Sequence, residues 1–582
     1  MSSQPQPYPL FFEANQGLLQ DVLKNMSVAY NLDAAEVYQR LSAAIDQEKL
    51  TEINNRYYER QVDLWLCMLG GKPGEPSKPV AQPDKNDHRF QSAEWNELPY
   101  FDYIKQYYLV TSQWLMELVD SAKLDTQLKK KLRFVARQYI DAMSPANFPA
   151  TNPEVLKLAA ETKGESVNKG LKNLLEDLEK GHISMTDESA FQVGNNLAIT
   201  SGQVVFENDL IQLIQYSPLA ETVDQYPLLI VPPCINKYYV LDMRPENSFV
   251  RYAVEQGNNV FIISWRNIPP ELGTLSWDDY LEQGVLKAFK VCLAIAGTKK
   301  LHALGFCVGG TLLACALAIL RAKRRNPAAS LTLLTTMLDF ADTGEISVYV
   351  DSAYVQKIAA EIGNGGLVPG RDLALTFASL RANELVWYYI VNNYLKGRTP
   401  YPFDLLYWNG DSANLPGPMY VYYVRSMYLE NNLKNPGKLT MCGVPIDLGK
   451  IDLPTYILAA KEDHIVPWKS AYATVPLLKG KIEFVLSASG HIAGVVNPPV
   501  KSKRSYWSAG ANGADPEQWL AVAQLSQGSW WPHWIAWLKQ KSNKRVPAPT
   551  RLGGAQYPAI EAAPGRYVKE NCKIPESVQR AA

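Results

Sequence analysis

Charge of one sign, paired cysteines and long apolar runs are all missing from this 582-residue chain. Lys+Arg and Asp+Glu both number 58, so the formal net charge is +0. A nucleic-acid binder would carry a basic excess or stripe, so the balance argues against that class. The same balance removes a repulsion that keeps many proteins apart, which favours association with a second copy or a surface. The seven cysteines, at 67, 234, 292, 307, 315, 442 and 572, are odd in number and form no CxxC pair. That pattern predicts free thiols in a reducing compartment rather than a disulfide framework. The central apolar run 312–320 stops at Arg321. A membrane span needs roughly 20 apolar residues, so a buried helix is predicted there. The opening MSSQPQPYPLFFEANQ lacks a basic segment followed by an apolar core, and no secretory signal is expected. There is no G-x-x-x-x-G-K phosphate cradle, and no internal repeat.

What is present is an ordinary globular balance, 47% hydrophobic and 20% charged. The length suggests more than one domain. Residues 10–68, 97–121 and 125–142 carry helical patterns, and the proline-rich SPANFPATNPE ends the last of them. Residues 70–87, GGKPGEPSKPVAQPDKND, read as a linker. The segment 192–215 reads as short strands leading into a helix. A mostly helical N-terminal domain is therefore expected over 1–195. From about 225 the texture changes to short β-branched runs at 228–231, 260–265, 301–306, 331–338, 455–460 and 482–486. Helical patterns such as 278–296 and 310–321 lie between most of them. This alternation predicts an α/β fold with a mostly parallel sheet covered on both faces, over 196–575, with a tail at 576–582. The long interval between 338 and 455 exceeds any bare loop. It is rich in Tyr and Trp, has helical stretches such as 372–395, and is read as an inserted cap over about 341–450.

The chemistry centres on Gly305-Phe306-Cys307-Val308-Gly309, set between the strand HALGF and the helix TLLACALAIL. This is the G-x-C-x-G form of a nucleophile elbow, with Cys where Ser usually sits. Side chains at Gly305 or Gly309 would push strand and helix apart. The thiol faces a helix N-terminus, whose free N–H groups and partial positive charge favour thiolate. The Val308 N–H is expected as one oxyanion donor. Alone, the motif is also compatible with a buried Cys in a tight turn. Downstream, the strand PTYILAA ends in Lys461-Glu462-Asp463-His464, and the strand IEFVLSAS ends in Gly490-His491-Ile492. The order Cys307, Asp463, His491 is the nucleophile–acid–base order of the α/β-hydrolase fold.

Alternatives stand beside this reading. His464 could replace His491 as base, although it directly follows the proposed acid. Glu462 could replace Asp463, although Asp suits the turn before Ile465-Val466-Pro467 better. His464 and Asp242 are expected as supporting residues near the triad. Cys234 follows the strand 228–231, where this fold builds the second half of the oxyanion hole; its backbone matters there more than its thiol, and the Ile235 N–H is the expected donor. Cys292 and Cys315 are expected in the core, and Cys67 and Cys572 receive no role. The run Gly528-Ser529-Trp530-Trp531-Pro532-His533-Trp534 is read as packing of a final helix. No metal site is expected.

Beyond these motifs, the chain resembles the class I polyhydroxyalkanoate synthases. The resemblance runs from about Arg89 to Pro575 through DHRFQSAEWNELPYFDYIKQYYL, NFPATNPE, VGNNLAITSGQVVFENDLIQLIQY, PPCINKYYVLDM, GFCVGG, EDHIVPW, SGHIAGVVNPP and GSWWPHWIAWL. The first 85 or so residues match poorly. The resemblance implies an α/β-hydrolase fold with an inserted cap and polymerisation of (R)-3-hydroxyacyl-CoA with release of CoA. Cys307 would hold the chain as a thioester, His491 would be the base, and Asp463 would orient His491 or help activate the 3-hydroxyl. Phe306 and Val308 resemble the class that takes short monomers such as 3-hydroxybutyryl-CoA. It also implies no cofactor beyond the CoA thioester substrate, a homodimer, and a cytoplasmic protein on polyester granules with granule-associated proteins as partners. A cysteine acyl-enzyme is about as activated as the acyl-CoA it came from, so the acyl group can pass on without an energetic sink. Two other readings share these features: a thiol-dependent thioesterase or esterase, and a non-catalytic granule-binding scaffold, against which the intact triad argues.

Overall fold

Strands form where β-branched and aromatic residues run unbroken between turn residues. The computed structural model describes residues 43–70, 79–510, 512–513, 515–542 and 544–571. Part of the expected linker and of the first helical stretch, together with the tail and Cys572, lies outside them. Eleven strands make one sheet: β1 Gly202–Glu207, β2 Ile211–Tyr216, β3 Leu228–Val231, β4 Val260–Trp265, β5 Leu301–Phe306, β6 Ala328–Leu334, β7 Thr455–Ala460, β8 Ile482–Ser487, β9 Ser505–Ser508, β10 Gln524–Gln527 and β11 Glu561–Ala562. Their order is β10-β9-β8-β7-β6-β5-β3-β4-β2-β1-β11. From β8 across to β4 every pairing is parallel, and β2, β1, β9, β10 and β11 join antiparallel. Strands β3, β4, β5 and β7 are buried along their whole length, as a sheet with both faces covered requires. The helix Val308–Ala322 is buried from Val308 to Leu320, which accounts for the apolar run that is too short for a membrane.

Two expectations are corrected. The segment 192–215 does not lead into a helix; β1 and β2 form a hairpin, and β2 pairs with β4. Leu210, Leu213 and Ile214 have a helix-like spacing, but sheet pairing decides the outcome. The strand expected at 331–338 starts at Ala328 and ends at Leu334. Thr335 takes a positive φ of 39° and leaves the ladder there.

The chain divides into two units. One contains the described residues through Met185 together with Phe377–Tyr401; the other contains Thr186–Thr376 and the chain from Pro402 onward, including the whole sheet. In the first unit, helices Gln47–Gly70, Pro99–Ser121 and Thr126–Ala142 pack around Tyr57 stacked on Trp114 and Phe90 edge-on to Trp95. Asp125 caps one helix through Leu128 N–H, and Asn152 caps Pro153–Glu161 through the N–H groups of Glu154 and Val155. Residues 377–401 come from the expected insertion, so the insertion contributes to both units. They are seated by specific contacts: Asn173 donates to the carbonyls of Asn393 and Arg398, Tyr394 donates to Asp177, and Lys396 pairs with Glu154 at 2.6 Å. Gly170 must be glycine here, because a Cβ would overlap the Tyr394 carbonyl. The helical stretch expected at 372–395 is an α-helix over Gly370–Ser379 followed by π turns at Asn383–Trp387 and Ile390–Leu395.

Candidate active site

Parallel pairing brings the C-terminal ends of β5, β6, β7 and β8 to one edge of the sheet, and the chemistry-bearing residues sit just beyond them. Cys307 follows Phe306 at the end of β5 and has φ 53°, a strained value for a non-glycine residue. The strain is held by neighbours. Cys307 N–H donates to the Leu334 carbonyl at 2.9 Å, and Thr336 Oγ1 donates to the Cys307 carbonyl at 3.3 Å. A Cβ on Gly305 would overlap Gly310, and one on Gly309 would overlap the Val231 and Pro232 carbonyls. Both elbow glycines are thus demanded by close backbone approach. The helix Val308–Ala322 begins at once, leaving its first N–H groups without intrahelical partners beside the half-buried thiol.

Asp463 lies three residues past β7. Its Oδ1 accepts from the N–H groups of Ile465 at 2.9 Å and Val466 at 2.8 Å. Its Oδ2 faces His491 Nδ1 at 2.6 Å. His491 opens the short helix His491–Val495 after β8, is 6% exposed, and stacks on Phe306 with ring centroids 5.5 Å apart. Burial by itself pulls the imidazolium down. The Asp463 charge, then the Cys307 charge, then hydrogen bonds to both side chains outweigh it and hold His491 at about 10. The structure therefore hydrogen-bonds His491 to Asp463 and brings the imidazole within interaction range of the Cys307 thiol.

The helix carrying His491 is braced at its open end. The Ala493, Gly494 and Val495 carbonyls accept from Arg504 Nη1 at 2.5 Å, Trp530 Nε1 at 2.9 Å and Trp531 Nε1 at 2.9 Å. Trp534 donates to Thr332 on β6 at 3.1 Å. The aromatic run read as simple packing thus also caps the orphan carbonyls of the base-bearing helix. Its sequence signal was the run itself, but nothing in it named the carbonyls. Sequence reasoning also missed Tyr423 and Tyr428 from the insertion. Burial raises both phenols well above their usual range, and a charge on Cys307 raises them further, which places them in electrostatic range of the thiol.

The remaining expected residues are placed as follows. Glu462 is exposed, and the imidazole joined to Asp463 and Cys307 is that of His491 rather than His464, which is half-buried on the next turn. Asp242 is not brought to this line. Its buried carboxylate accepts from Thr200 at 2.5 Å, Ser248 at 2.6 Å and Tyr216 at 3.3 Å, and burial raises it above the usual range. Cys234 is buried within electrostatic range of Cys307, and burial pushes its thiol up. Ile235 follows it, half-buried, in the loop whose start abuts Gly309. Cys292 and Cys315 are in the core. Among the described residues no group of three His, Cys, Asp or Glu side chains is arranged for a metal ion, and no helix is long and apolar enough to cross a membrane.

Comparison with known proteins follows the same lines. Residues 86–253 match the family described as poly-beta-hydroxybutyrate polymerase (PhaC) N-terminus, and residues 227–498 match the alpha/beta hydrolase fold. The poly(3-hydroxyalkanoate) polymerase subunit PhaC of Cupriavidus necator is 53% identical over 90% of this chain and 88% of its own. That of Rhizobium meliloti is 43% identical over 87% of this chain and 83% of its own. Among solved structures, a monoacylglycerol lipase from Paleococcus ferrophilus is similar over 57% of this chain and 99% of its own, at 12% identity and a TM-score of 0.33. On the strength of the full-length relatives, the chain belongs to the poly(3-hydroxyalkanoate) polymerases, acyltransferases built on the α/β-hydrolase fold.

Proposed function

We propose that this chain polymerises (R)-3-hydroxyacyl-CoA, with 3-hydroxybutyryl-CoA as its preferred monomer, through a thioester on Cys307. The observation that carries the reading is the line Asp463–His491–Cys307, with 2.6 Å between Asp463 Oδ2 and His491 Nδ1. With Nδ1 committed to Asp463, Nε2 is the nitrogen left to take the Cys307 proton. In loading, the thiolate attacks the acyl-CoA carbonyl. The oxyanion is met by the N–H groups of Val308 and Ile235. The C–S bond to CoA breaks, and the imidazolium proton leaves with CoA. In elongation, His491 takes the proton of a 3-hydroxyl, whose oxygen attacks an acyl thioester; an ester forms and the departing thiol receives that proton. Asp463 acts by orienting His491, a role supported by the two backbone N–H groups that occupy its other oxygen. No cofactor is required by this sequence of steps. The insertion, with Tyr423 and Tyr428 near the thiol, would keep water from ending the chain by hydrolysis. Balanced charge and the family resemblance further support a homodimer at polyester granules in the cytoplasm.

The test incubates purified protein with (R)-3-hydroxybutyryl-CoA, measures free CoA in quenched samples and isolates the acyl product. CoA release with insoluble polyester, absent in Cys307→Ala, is expected. Soluble 3-hydroxybutyrate as the only product would make the chain a thiol-dependent hydrolase. Turnover of a 3-hydroxyhexanoyl substrate alone would overturn the short-monomer preference.

A further inference from the structure

The loop after β3 is joined to the insertion residue by residue. The Ile235 carbonyl accepts from Ala413 N–H at 3.2 Å, and Asn236 bridges antiparallel to Ser412. The next pair is ionic: Lys237 Nζ lies 2.7 Å from Asp411 Oδ1, with the Lys237 side chain only 3% exposed. Tyr239 OH donates to Asp411 Oδ2 at 2.9 Å, and the Trp408 indole donates to the Lys237 carbonyl at 2.7 Å. The insertion side is fixed in turn, since Asn414 N–H donates to Asn267 and Asn414 Oδ1 accepts from Gly370 N–H, both at 2.9 Å. Buried ion pairs of this kind add little net stability, and setting register is their best-attested use. Burial raises the Asp411 carboxyl above its usual range even with Lys237 against it, which fits a pair kept for geometry rather than for stability.

We infer that Lys237 and Asp411 are positioning residues for acyl transfer: they lock 235–237 in register against 411–413 and so aim the Ile235 N–H at the forming oxyanion. The inference rests on the proposed thioester mechanism, in which Ile235 supplies the second donor. Neither side chain touches the reacting atoms; both act through the backbone between them. A slip of this short bridge would turn the Ile235 amide while leaving Cys307 and His491 in place, because those two are held from β5, β6 and β8.

This separates two reactions of the same thiol. Acylation by 3-hydroxybutyryl-CoA develops an oxyanion, whereas alkylation by iodoacetamide does not. In Asp411→Asn, the rate of CoA release at saturating substrate is expected to fall 10- to 100-fold, in line with weakened donation at an oxyanion. KM and the rate of Cys307 alkylation are expected to stay within about twofold of wild type. Tyr239→Phe, which removes one hydroxyl from the pair, is expected to show the same split at smaller size. It keeps the test open should Asp411→Asn not fold. Equal losses of acylation and alkylation, or no loss of either, would overturn the inference. Cys307→Ala run alongside distinguishes the two levels: CoA release by that variant would instead overturn the thioester mechanism itself.

Discussion

Replacing Asp463 by Asn changes one atom and should disable the base. The Asp463 Oδ1 bonds to Ile465 and Val466 N–H can be kept by the amide oxygen, which fixes the side chain's orientation. The amide NH2 then faces His491 Nδ1, which must become an acceptor, so Nε2 carries the hydrogen and cannot take a thiol proton. The size follows from the forces on the imidazole. His491 is held at about 10 against a burial effect that lowers it, and the Asp463 charge leads the opposing causes. Without that charge only Cys307 still opposes burial, and His491 should fall back toward its ordinary 6.5. The change is then about 3 units, or roughly 4–5 kcal/mol between the two protonation states. Even if only part of it is felt in the transition state, CoA release should fall about a thousandfold. The two backbone bonds survive and keep the turn folded, but the attraction between Asp463 and the imidazolium is lost, so Tm at neutral pH should fall by several degrees. Kinetics on quenched samples and an NMR titration of His491 measure both ends of the argument. A loss under tenfold, or a His491 resonance still titrating near 10, would refute it.

Three further outcomes follow from neighbouring contacts. Trp530→Phe keeps one aromatic ring but removes the indole N–H that the buried Gly494 carbonyl accepts from, which should cost at least about 1–3 kcal/mol in urea unfolding and lower kcat more than it raises KM. Gly309→Ala forces a Cβ into the Val231 and Pro232 carbonyls, and loss of soluble folded protein is expected on expression and circular dichroism. His302 is buried on β5, bonded to Ser330, and burial, partly opposed by Asp224, lowers it to about 4. The unfolded chain takes that proton near 6.5 and the folded chain only near 4, so stability is full above 6.5 and falls as pH drops between the two values. The loss approaches about 3 kcal/mol, and urea midpoints at pH 7 and 4.5 should converge in His302→Gln.

The parts of this fold that write themselves locally were readable. Val260–Trp265 and Leu301–Phe306 are strands with the boundaries their β-branched and apolar runs suggest, and Asp463 and His491 stand just past strand ends where the α/β reading puts them. What was hidden depends on partners far along the chain. The edge strand β10 is mostly exposed and polar, and its half-buried neighbour β9 is only four residues long, so no apolar period marks either; pairing of β9 to β8 and of β10 to β9 makes them strands. Residues 377–401 carry an unremarkable helical pattern, and it is contacts to residues such as Asp141, Glu154, Gly170, Asn173 and Asp177 that assign them to the first unit. Asp242, expected as a supporting residue near the triad, is held instead by Thr200, Tyr216 and Ser248, two of which lie far back in the chain.

The division between readable and hidden residues tracks their physical task. Chemistry needs particular atoms at strand ends, and the chain spells these as motifs: Gly305 to Gly309, Asp463, His491. Precision needs those atoms held, and holding is done by whatever donor happens to reach. Cys307 is pinned through the backbone of Leu334 and the hydroxyl of Thr336, His491 through Arg504, Trp530 and Trp531 on the carbonyls behind it, and Asp463 through two backbone N–H groups. The three reactive side chains thus have three separate supports that share no residue. It follows that damage to one support should misplace one atom only. Trp530→Phe should slow the proton transfers of His491 without altering the backbone that strains Cys307, and Asp411→Asn should weaken oxyanion binding without altering either. Combining the two changes should multiply their rate losses, since sites without shared partners act additively in free energy. A double variant no slower than the worse single one would show that the supports are coupled after all, and that the site moves as one body.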